Sequence, residues 1–319
     1  MFEYTVRRLL SFIPMLLIMT FLIFLGLELT PGDAVSFMAS PDAMANMDAS
    51  QLAALRESLG LNDPFLMRYL HWLGGVLKGD FGYSLTSGVP IREIVFSRLP
   101  ATLELSISAL VISSILGCAL GLLGALRRGS ATDTFLTVAG MVGVSIPEFF
   151  FGLVAILVFS IKLRWLPVGG RLRPDQAGFA DRISYLILPA LVLGIAMTAG
   201  VMRYARASML DTVDKEYMKT ARSKGLPEWR INLLHGFRVA LTPIIVLIGF
   251  RLPMLIGGSV VIEQIFQWPG VGSEFISAVR GQNYPLVMMI SLFFVVAVLV
   301  ASLLVDVFTA LLDPRVKLN

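Results

Sequence analysis

LSISALVISSILGCALGLLGAL, residues 105–126, contains no charged side chain. A helix of about 20 apolar residues is long enough to cross the hydrocarbon core of a membrane. The whole chain is similar in character, because 56% of its 319 residues are hydrophobic and only 15% are charged, whereas soluble domains carry about 25% charged residues. The composition excludes disorder, a disulfide scaffold and a peripheral membrane enzyme. It predicts an all-α integral membrane protein.

Five further apolar stretches resemble the first in length and predict a bundle of six transmembrane helices within one domain, residues 1–319. The six predicted spans are 9–29, 103–126, 134–161, 183–202, 239–262 and 284–308. The first follows two arginines, as a secretory signal does, but its length and the missing small-x-small cleavage site predict a retained helix. Prolines in or near the spans predict kinks rather than breaks, since neighbouring helices satisfy the freed carbonyls. They are Pro14, Pro147, Pro189, Pro243 and Pro253.

Lysine and arginine predict the orientation. One set of connections, together with both chain ends, carries 14 of them, and the opposite set carries 11 over a greater length. The positive-inside rule therefore predicts that both termini are cytoplasmic, although the basic loop 162–182 weighs against this. Two connections exceed simple turns: 30–100, predicted to be extracytoplasmic, and 203–238, predicted to be cytoplasmic. The basic residues flank apolar stretches, which implies contact with membrane lipid and excludes nucleic acid.

The sequence predicts no enzyme. It has no phosphate-binding GxxxxGK[ST] loop and no HExxH motif, and the only histidines, His71 and His235, fall on opposite sides of the predicted membrane. We therefore expect no catalytic residues, no metal site and no cofactor in this chain.

The segment EYMKTARSKG, residues 216–225, resembles the cytoplasmic E-A-A-x3-G motif of the permease subunits of ATP-binding-cassette importers. Ala221 and Gly225 match, whereas Lys219 and Thr220 stand where the family has Glu and Ala. Residues of this segment that the resemblance assigns to a coupling loop are Glu216, Tyr217, Lys219, Thr220, Ala221, Arg222, Lys224 and Gly225. A solvated basic face near anionic lipid explains the same charges.

Motifs elsewhere are similar to those of the dipeptide/oligopeptide/nickel permeases and cover nearly the whole chain. They include Pro31-Gly32-Asp33, Gly79-Asp80-Phe81-Gly82, Pro100-Ala101-Thr102-Leu103-Glu104, Glu263-Gln264-Ile265-Phe266, Trp268-Pro269-Gly270-Val271-Gly272 and Asp313-Pro314-Arg315. This resemblance implies a pore-forming subunit in the bacterial cytoplasmic (inner) membrane that imports di- or oligopeptides by alternating access. Nickel, glutathione and opines remain alternative substrates.

The resemblance also implies partners. These are a second homologous permease, one or two cytoplasmic ATP-binding subunits that hold ATP and magnesium, and an extracytoplasmic binding protein. The turn containing Trp268, Pro269, Gly270 and Gly272 is expected to contact the binding protein, and Trp268 is also expected to be an interfacial anchor.

Two charges, Glu148 and Arg251, fall near the middles of predicted spans, where an unpaired charge costs at least about 2.5–3.5 kcal/mol. We expect them to pair or to line the translocation path. The alternative is that each faces a hydrated cavity or a kinked backbone by itself. An ion-coupled secondary transporter would also use such midplane charges and is the rival function, while a membrane-embedded enzyme is disfavoured by the missing catalytic groups.

Overall fold

The computed structural model describes residues 2–29, 48, 50–51, 57, 62–172 and 178–312, and this part of the chain is helical. Its helices are α1 Phe2–Glu28, α2 Phe65–Leu77, α3 Ile91–Leu126, α4 Ala131–Ser145, α5 Glu148–Ala155, α6 Phe179–Val213, α7 Glu216–Ser223, α8 Glu228–Arg230, α9 Arg238–Gly258, α10 Val260–Ile265, α11 Val271–Arg280 and α12 Tyr284–Leu312. Two π-helical segments continue this series: Ile156–Lys162 follows α5, and Ile231–Phe237 joins α8 to α9.

In the described part of the chain, five helices are long and apolar enough to cross a membrane. These spans are Val6–Glu28, Ile91–Leu126, Phe179–Val213, Glu228–Arg251 and Tyr284–Val307. Helices α4 and α5 meet this test only as a pair, which makes a sixth span if the two are counted together. The predicted all-α membrane class is therefore confirmed, with five or six spans.

The third predicted span is broken rather than kinked. Its two halves, α4 and α5 with the π-helical segment, meet at an angle of 97°. Ile146 has an extended backbone because the ring of a following proline disfavours helical geometry in the residue before it. The expectation of a mere kink at Pro147 is therefore wrong, whereas Pro14 and Pro189 lie inside continuous helices.

The most extensive contact between helices joins α3 to α6. A Cβ atom added at Gly117 would lie 2.5 Å from the Val201 Cβ, and one added at Gly121 would lie 2.6 Å from the Met202 carbonyl oxygen. Without a hydrophobic driving force in lipid, helices associate through such close backbone packing at small residues. The two glycines therefore determine how closely this pair packs at the centre of the bundle.

The long connections contain helices of their own. In the expected segment 30–100, helix α2 packs its aromatic side chains on α1, and the Thr20 and Tyr69 hydroxyls lie 2.9 Å apart. The sequence also predicts a helical stretch near residues 51–59 of this segment, and most of it lies outside the described residues. Helix α6 continues to Val213, eleven residues beyond the expected end at 202. The membrane helix itself therefore includes the first part of the expected connection 203–238.

Candidate functional sites

Helix α7 and the turn after it form the corner expected from the coupling motif. Met218 and Ala221, three residues apart on one face, are buried against Ile231 and Leu226. Helix α7 ends before Gly225, which has a left-handed φ of +73°, as glycine does after many helices. The other predicted coupling residues are exposed: Glu216, Tyr217, Lys219, Thr220, Arg222, Lys224 and Gly225.

Two ion pairs lie on the exposed side of this corner. Arg222 reaches across the turn to Glu228 on α8, with 3.0 Å between Nε and Oε1, and Lys219 pairs with Glu216 within α7 at 2.8 Å. Both pairs are solvated, and such pairs contribute little to stability. Tyr217 remains exposed beside them, so the surface of the corner combines mixed charge with an aromatic side chain.

A methionine anchors α7 to the membrane helices. A Cβ at Gly236, in the π-helical segment before α9, would lie 2.8 Å from the Met209 methyl and 2.9 Å from the Met218 methyl. Both methionines are fully buried, and Met209 belongs to α6. The Met218 methyl of α7 and the Met209 methyl of α6 therefore both face Gly236, and we call this arrangement of Met209, Met218 and Gly236 the methionine seat. Sequence reasoning missed this seat, although the spacing of Met218 and Ala221 was a usable signal.

Glu148 and Arg251 are both half-buried, and no ion pair joins them in the described part of the chain. Glu148 begins α5 at the break in the third span. Arg251 donates from Nη1 to the Met197 carbonyl oxygen at 3.0 Å. The interaction is thus with a backbone carbonyl, as one alternative expected, but the carbonyl belongs to α6 rather than to the region of Pro253.

Most of the segment 268–270 lies inside the protein. Trp268 is only 1% exposed, and its Nε1 donates to the Ala101 carbonyl oxygen at 2.7 Å. The Arg171 guanidinium lies 5.8 Å from the indole ring centre. The structure therefore holds this tryptophan as a core residue that connects the turn to α3.

A buried carboxylate organises the same turn. Glu263 is fully buried, and its oxygens accept from Thr102 Oγ1 at 2.8 Å, Ser259 Oγ at 3.1 Å and the Ser273 N–H at 2.8 Å. A Cβ at Gly270 would collide with the carboxylate. Burial raises the pKa of the Glu263 carboxyl, against the lowering effect of these hydrogen bonds. We call this cluster of Glu263 with its hydrogen-bond partners the carboxylate clasp.

This arrangement corrects one expectation. Trp268, Gly270 and Gly272 are buried and Pro269 is half-buried, so the first three do not form an outer surface in this chain, and Trp268 is not an interfacial anchor. Their physical role here is to enclose the carboxylate clasp. A contact between this end of the protein and a binding protein stays a prediction. Sequence reasoning placed Glu263 in a family motif without assigning it a role.

Within the described ranges, no group of three or more His, Cys, Asp or Glu side chains could hold a metal ion. The features seen here are instead a set of long apolar helices, a broken span, two half-buried membrane charges and a rigid corner outside the bundle. Together they define an all-helical, multi-pass membrane protein.

The family follows from comparison. The chain belongs to the family of binding-protein-dependent transport system inner membrane components, whose model matches residues 113–318, and residues 1–106 match the corresponding amino-terminal family. It is 40% identical to the oligopeptide transport system permease protein AppB of Bacillus subtilis, over 99% of this chain and 100% of that protein. It is 36% identical to the glutathione transport system permease protein GsiC of Escherichia coli K12, over 99% of each.

A putative peptide permease of Brucella ovis is 38% identical over the full length of both chains. The chain is therefore a permease component of a binding-protein-dependent importer. It is a multi-pass protein of the bacterial inner membrane and not an enzyme.

Proposed function

We propose that this chain and a second, homologous permease form the pore of an importer for di- or oligopeptides. One or two cytoplasmic subunits bind ATP with magnesium and hydrolyse it, and an extracytoplasmic binding protein delivers the substrate. The names of the related proteins support the substrate class, because two of them refer to peptides and glutathione is itself a small peptide. Nickel and opines remain the alternatives of the same transporter type.

The observation that carries this proposal is the geometry of α7. On its buried face, the Met218 methyl faces Gly236, just before α9, as does the Met209 methyl of α6. Its outer face leaves Tyr217, Lys219 and Arg222 exposed. A subunit that grips the outer face would move Met218 and, through it, two transmembrane helices. Such a contact converts closure of the ATP-binding subunits into a change of access in the pore. It requires that both chain termini and α7 lie on the cytoplasmic side.

Glu148 and Arg251 line the translocation path in this proposal. Charged side chains within a membrane face protein or water, because exposure to lipid is costly. Among the described residues, the hydrogen-bond partner of Arg251 is a neutral carbonyl, and Glu148 begins a half-helix at the broken span. Both positions are typical of a hydrated path.

The broken span also favours one rival. Secondary transporters use discontinuous helices at their binding sites, and α4 and α5 meet at 97°. A proton or sodium gradient would then drive uptake. The energy source separates the two functions.

The test is uptake by the purified complex in proteoliposomes. The tagged chain is extracted with its partners and reconstituted with the binding protein, and import of a radiolabelled tripeptide is measured with and without ATP. We expect import that requires ATP and is insensitive to ion gradients. Competition by nickel, glutathione or an opine then tests the alternative substrates, and import driven by a gradient without ATP would refute the proposal.

A matched pair of variants tests the coupling contact. Tyr217→Ala removes an exposed aromatic residue from α7, and Tyr83→Ala removes one from the segment predicted to lie outside. We expect Tyr217→Ala to lower import and substrate-stimulated ATP hydrolysis by about tenfold, as loss of an interface anchor does. Tyr83→Ala should leave both unchanged. Equal behaviour of the two variants would remove α7 from the coupling contact.

A further inference from the structure

The Arg251 side chain packs directly on the backbone of α6. Its Nη1 donates to the Met197 carbonyl oxygen at 3.0 Å. A Cβ added at Gly200 would collide with its Nη2. The absence of a side chain at Gly200 therefore allows the guanidinium to lie directly on the helix.

A second cation lies near this contact on α6. Arg203 follows Gly200 by three residues, which places it on the same face of α6. It is exposed, and it lies one helical turn from the glycine that contacts the Arg251 guanidinium. No carboxylate of the described residues forms an ion pair with either arginine. The pair therefore carries a net charge of +2 that the described part of the chain leaves unbalanced.

The two arginines lie at different depths. Met197 and Gly200 lie about halfway along α6, which runs from Phe179 to Val213, and Arg203 lies one turn nearer its carboxyl end. Arg251 lies near the middle of α9 and of the predicted span 239–262. Uncompensated charge near the bilayer centre is costly and marks ion or substrate pathways. Lipid phosphates lie at the membrane surface, and so they do not supply the missing negative charge at the depth of Arg251.

We propose that Arg251 and Arg203 form a transit site for a carboxylate of the substrate. The inference rests on the proposed function, and it identifies the recognised group as the terminal carboxylate, which linear peptides share whatever their side chains. A guanidinium binds a carboxylate through two parallel hydrogen bonds. Arg251 uses one N–H donor for the Met197 carbonyl, and its other N–H donors are available to a carboxylate. Two arginines bind the passing group, and a transient site must release it again.

The experiment compares trialanine with trialanine amide, both radiolabelled, in proteoliposomes that contain the complete complex at saturating binding protein. The measured quantity is the ratio of the two import rates in wild type, Arg251→Gln and Arg203→Gln. The binding protein is the same throughout, so its own preference cancels when the ratios are compared. Arg280→Gln, at an exposed arginine that ends α11, is the matched control.

We expect the preference for the free acid over the amide to fall about tenfold in Arg251→Gln, as the loss of a hydrogen bond to a charged group predicts. Arg203→Gln should show a smaller fall and Arg280→Gln none. Gly200→Ala keeps the charge but displaces the guanidinium from its position on α6, so it should weaken the preference even if Arg251→Gln does not assemble. Arg251→Lys should restore part of it.

An unchanged ratio in Arg251→Gln and in Gly200→Ala, with ATP-dependent import intact, would overturn the transit site. The counter-charge would then come from the second permease subunit. A wild-type complex that imports neither peptide with ATP would instead refute the proposed function. The two failures are therefore distinguishable.

Discussion

The predicted coupling segment, residues 216–237, and the clasp turn, residues 263–273, are both short connections that carry family motifs, yet they fold in opposite ways. The coupling segment buries Met218 and Ala221 and exposes the other predicted coupling residues. The clasp turn buries Glu263 and Trp268 completely. The difference teaches that a motif between membrane helices is not by itself a surface. One segment exposes most of its motif residues, and the other uses them to hold its own backbone.

The largest expected effect on stability comes from breaking the carboxylate clasp. Glu263→Ala leaves the buried N–H of Ser273 and the hydroxyl of Thr102 without their acceptor, and each orphaned group costs about 1–3 kcal/mol. We expect a large loss of folded protein, measured as the midpoint of thermal unfolding in detergent. Glu274→Gln, at a half-buried carboxylate of α11 that pairs with Arg98, is the control. A midpoint equal to that of the control would mean that the clasp does not stabilise the turn.

Disrupting the methionine seat should lower the stability by a smaller amount. Met218→Ala removes a fully buried side chain, and such changes cost about 2 kcal/mol or more. Met218 belongs to α7, which lies outside the candidate spans, so the loss should stay local to α7 and appear as faster proteolysis at 216–237. ATP hydrolysis should continue while import falls, because α7 is then no longer held against the membrane helices. Coupled ATP hydrolysis and import in this variant would contradict the role of the seat.

The carboxylate clasp should also give the stability a dependence on pH. Burial raises the pKa of Glu263, which lies beyond the span Glu228–Arg251. The folded state therefore binds the proton more tightly than the unfolded state does, and stability falls as pH rises from the ordinary carboxyl value through the raised one. The thermal midpoint of the wild type should decline as the pH rises above the ordinary carboxyl pKa of about 4. Glu263→Gln should abolish that part of the decline, and an equal slope in both proteins would contradict the assignment.

The smallest effect belongs to the exposed ion pair of α7. Lys219→Gln removes the pair with Glu216, whose side chains are 62% and 86% exposed, so stability should change by no more than about 0.5 kcal/mol. Any loss of import in this variant would therefore report a contact with a partner. The thermal midpoint and the import rate, measured on one preparation, separate a loss of stability from the loss of a partner contact. A fall in the midpoint comparable to that of Met218→Ala would show that the face is not simply solvated.

The sequence was sufficient for the fold class because membrane helices are specified by length and composition. The runs around 105–126 and 284–308 contain enough apolar residues to cross the bilayer, and helices occupy both. The break at Pro147 was missed because a proline has no fixed outcome. Pro189 sits in a continuous helix, whereas Pro147 begins a new one. Packing of neighbouring helices decides between the two, and a single sequence does not reveal that packing.

The candidate sites were predicted unevenly for a related reason. The corner at Gly225 follows from local signals, a glycine after a short helix and a proline two residues later. The burial of Trp268 depends on Ala101, 167 residues away in the chain. The position of the Arg251 side chain depends equally on Gly200, in another helix. Such long-range contacts leave no periodic trace in the sequence, so residue type alone suggested a surface for Trp268 and a pairing with Glu148 for Arg251.

The glycine face of α3 also constrains how the protein is made. Gly121 packs on Met202 and Ala205 of α6, which the ribosome synthesises more than 80 residues later. At about 5–20 residues per second, α3 waits roughly 4–17 seconds in the membrane before its partner exists. During this time the face of α3 that carries Gly117 and Gly121 is exposed to lipid or to the insertion machinery. A bulky residue at Gly121 should therefore have its effect during biogenesis. The expected result is chains that are degraded before they join a complex.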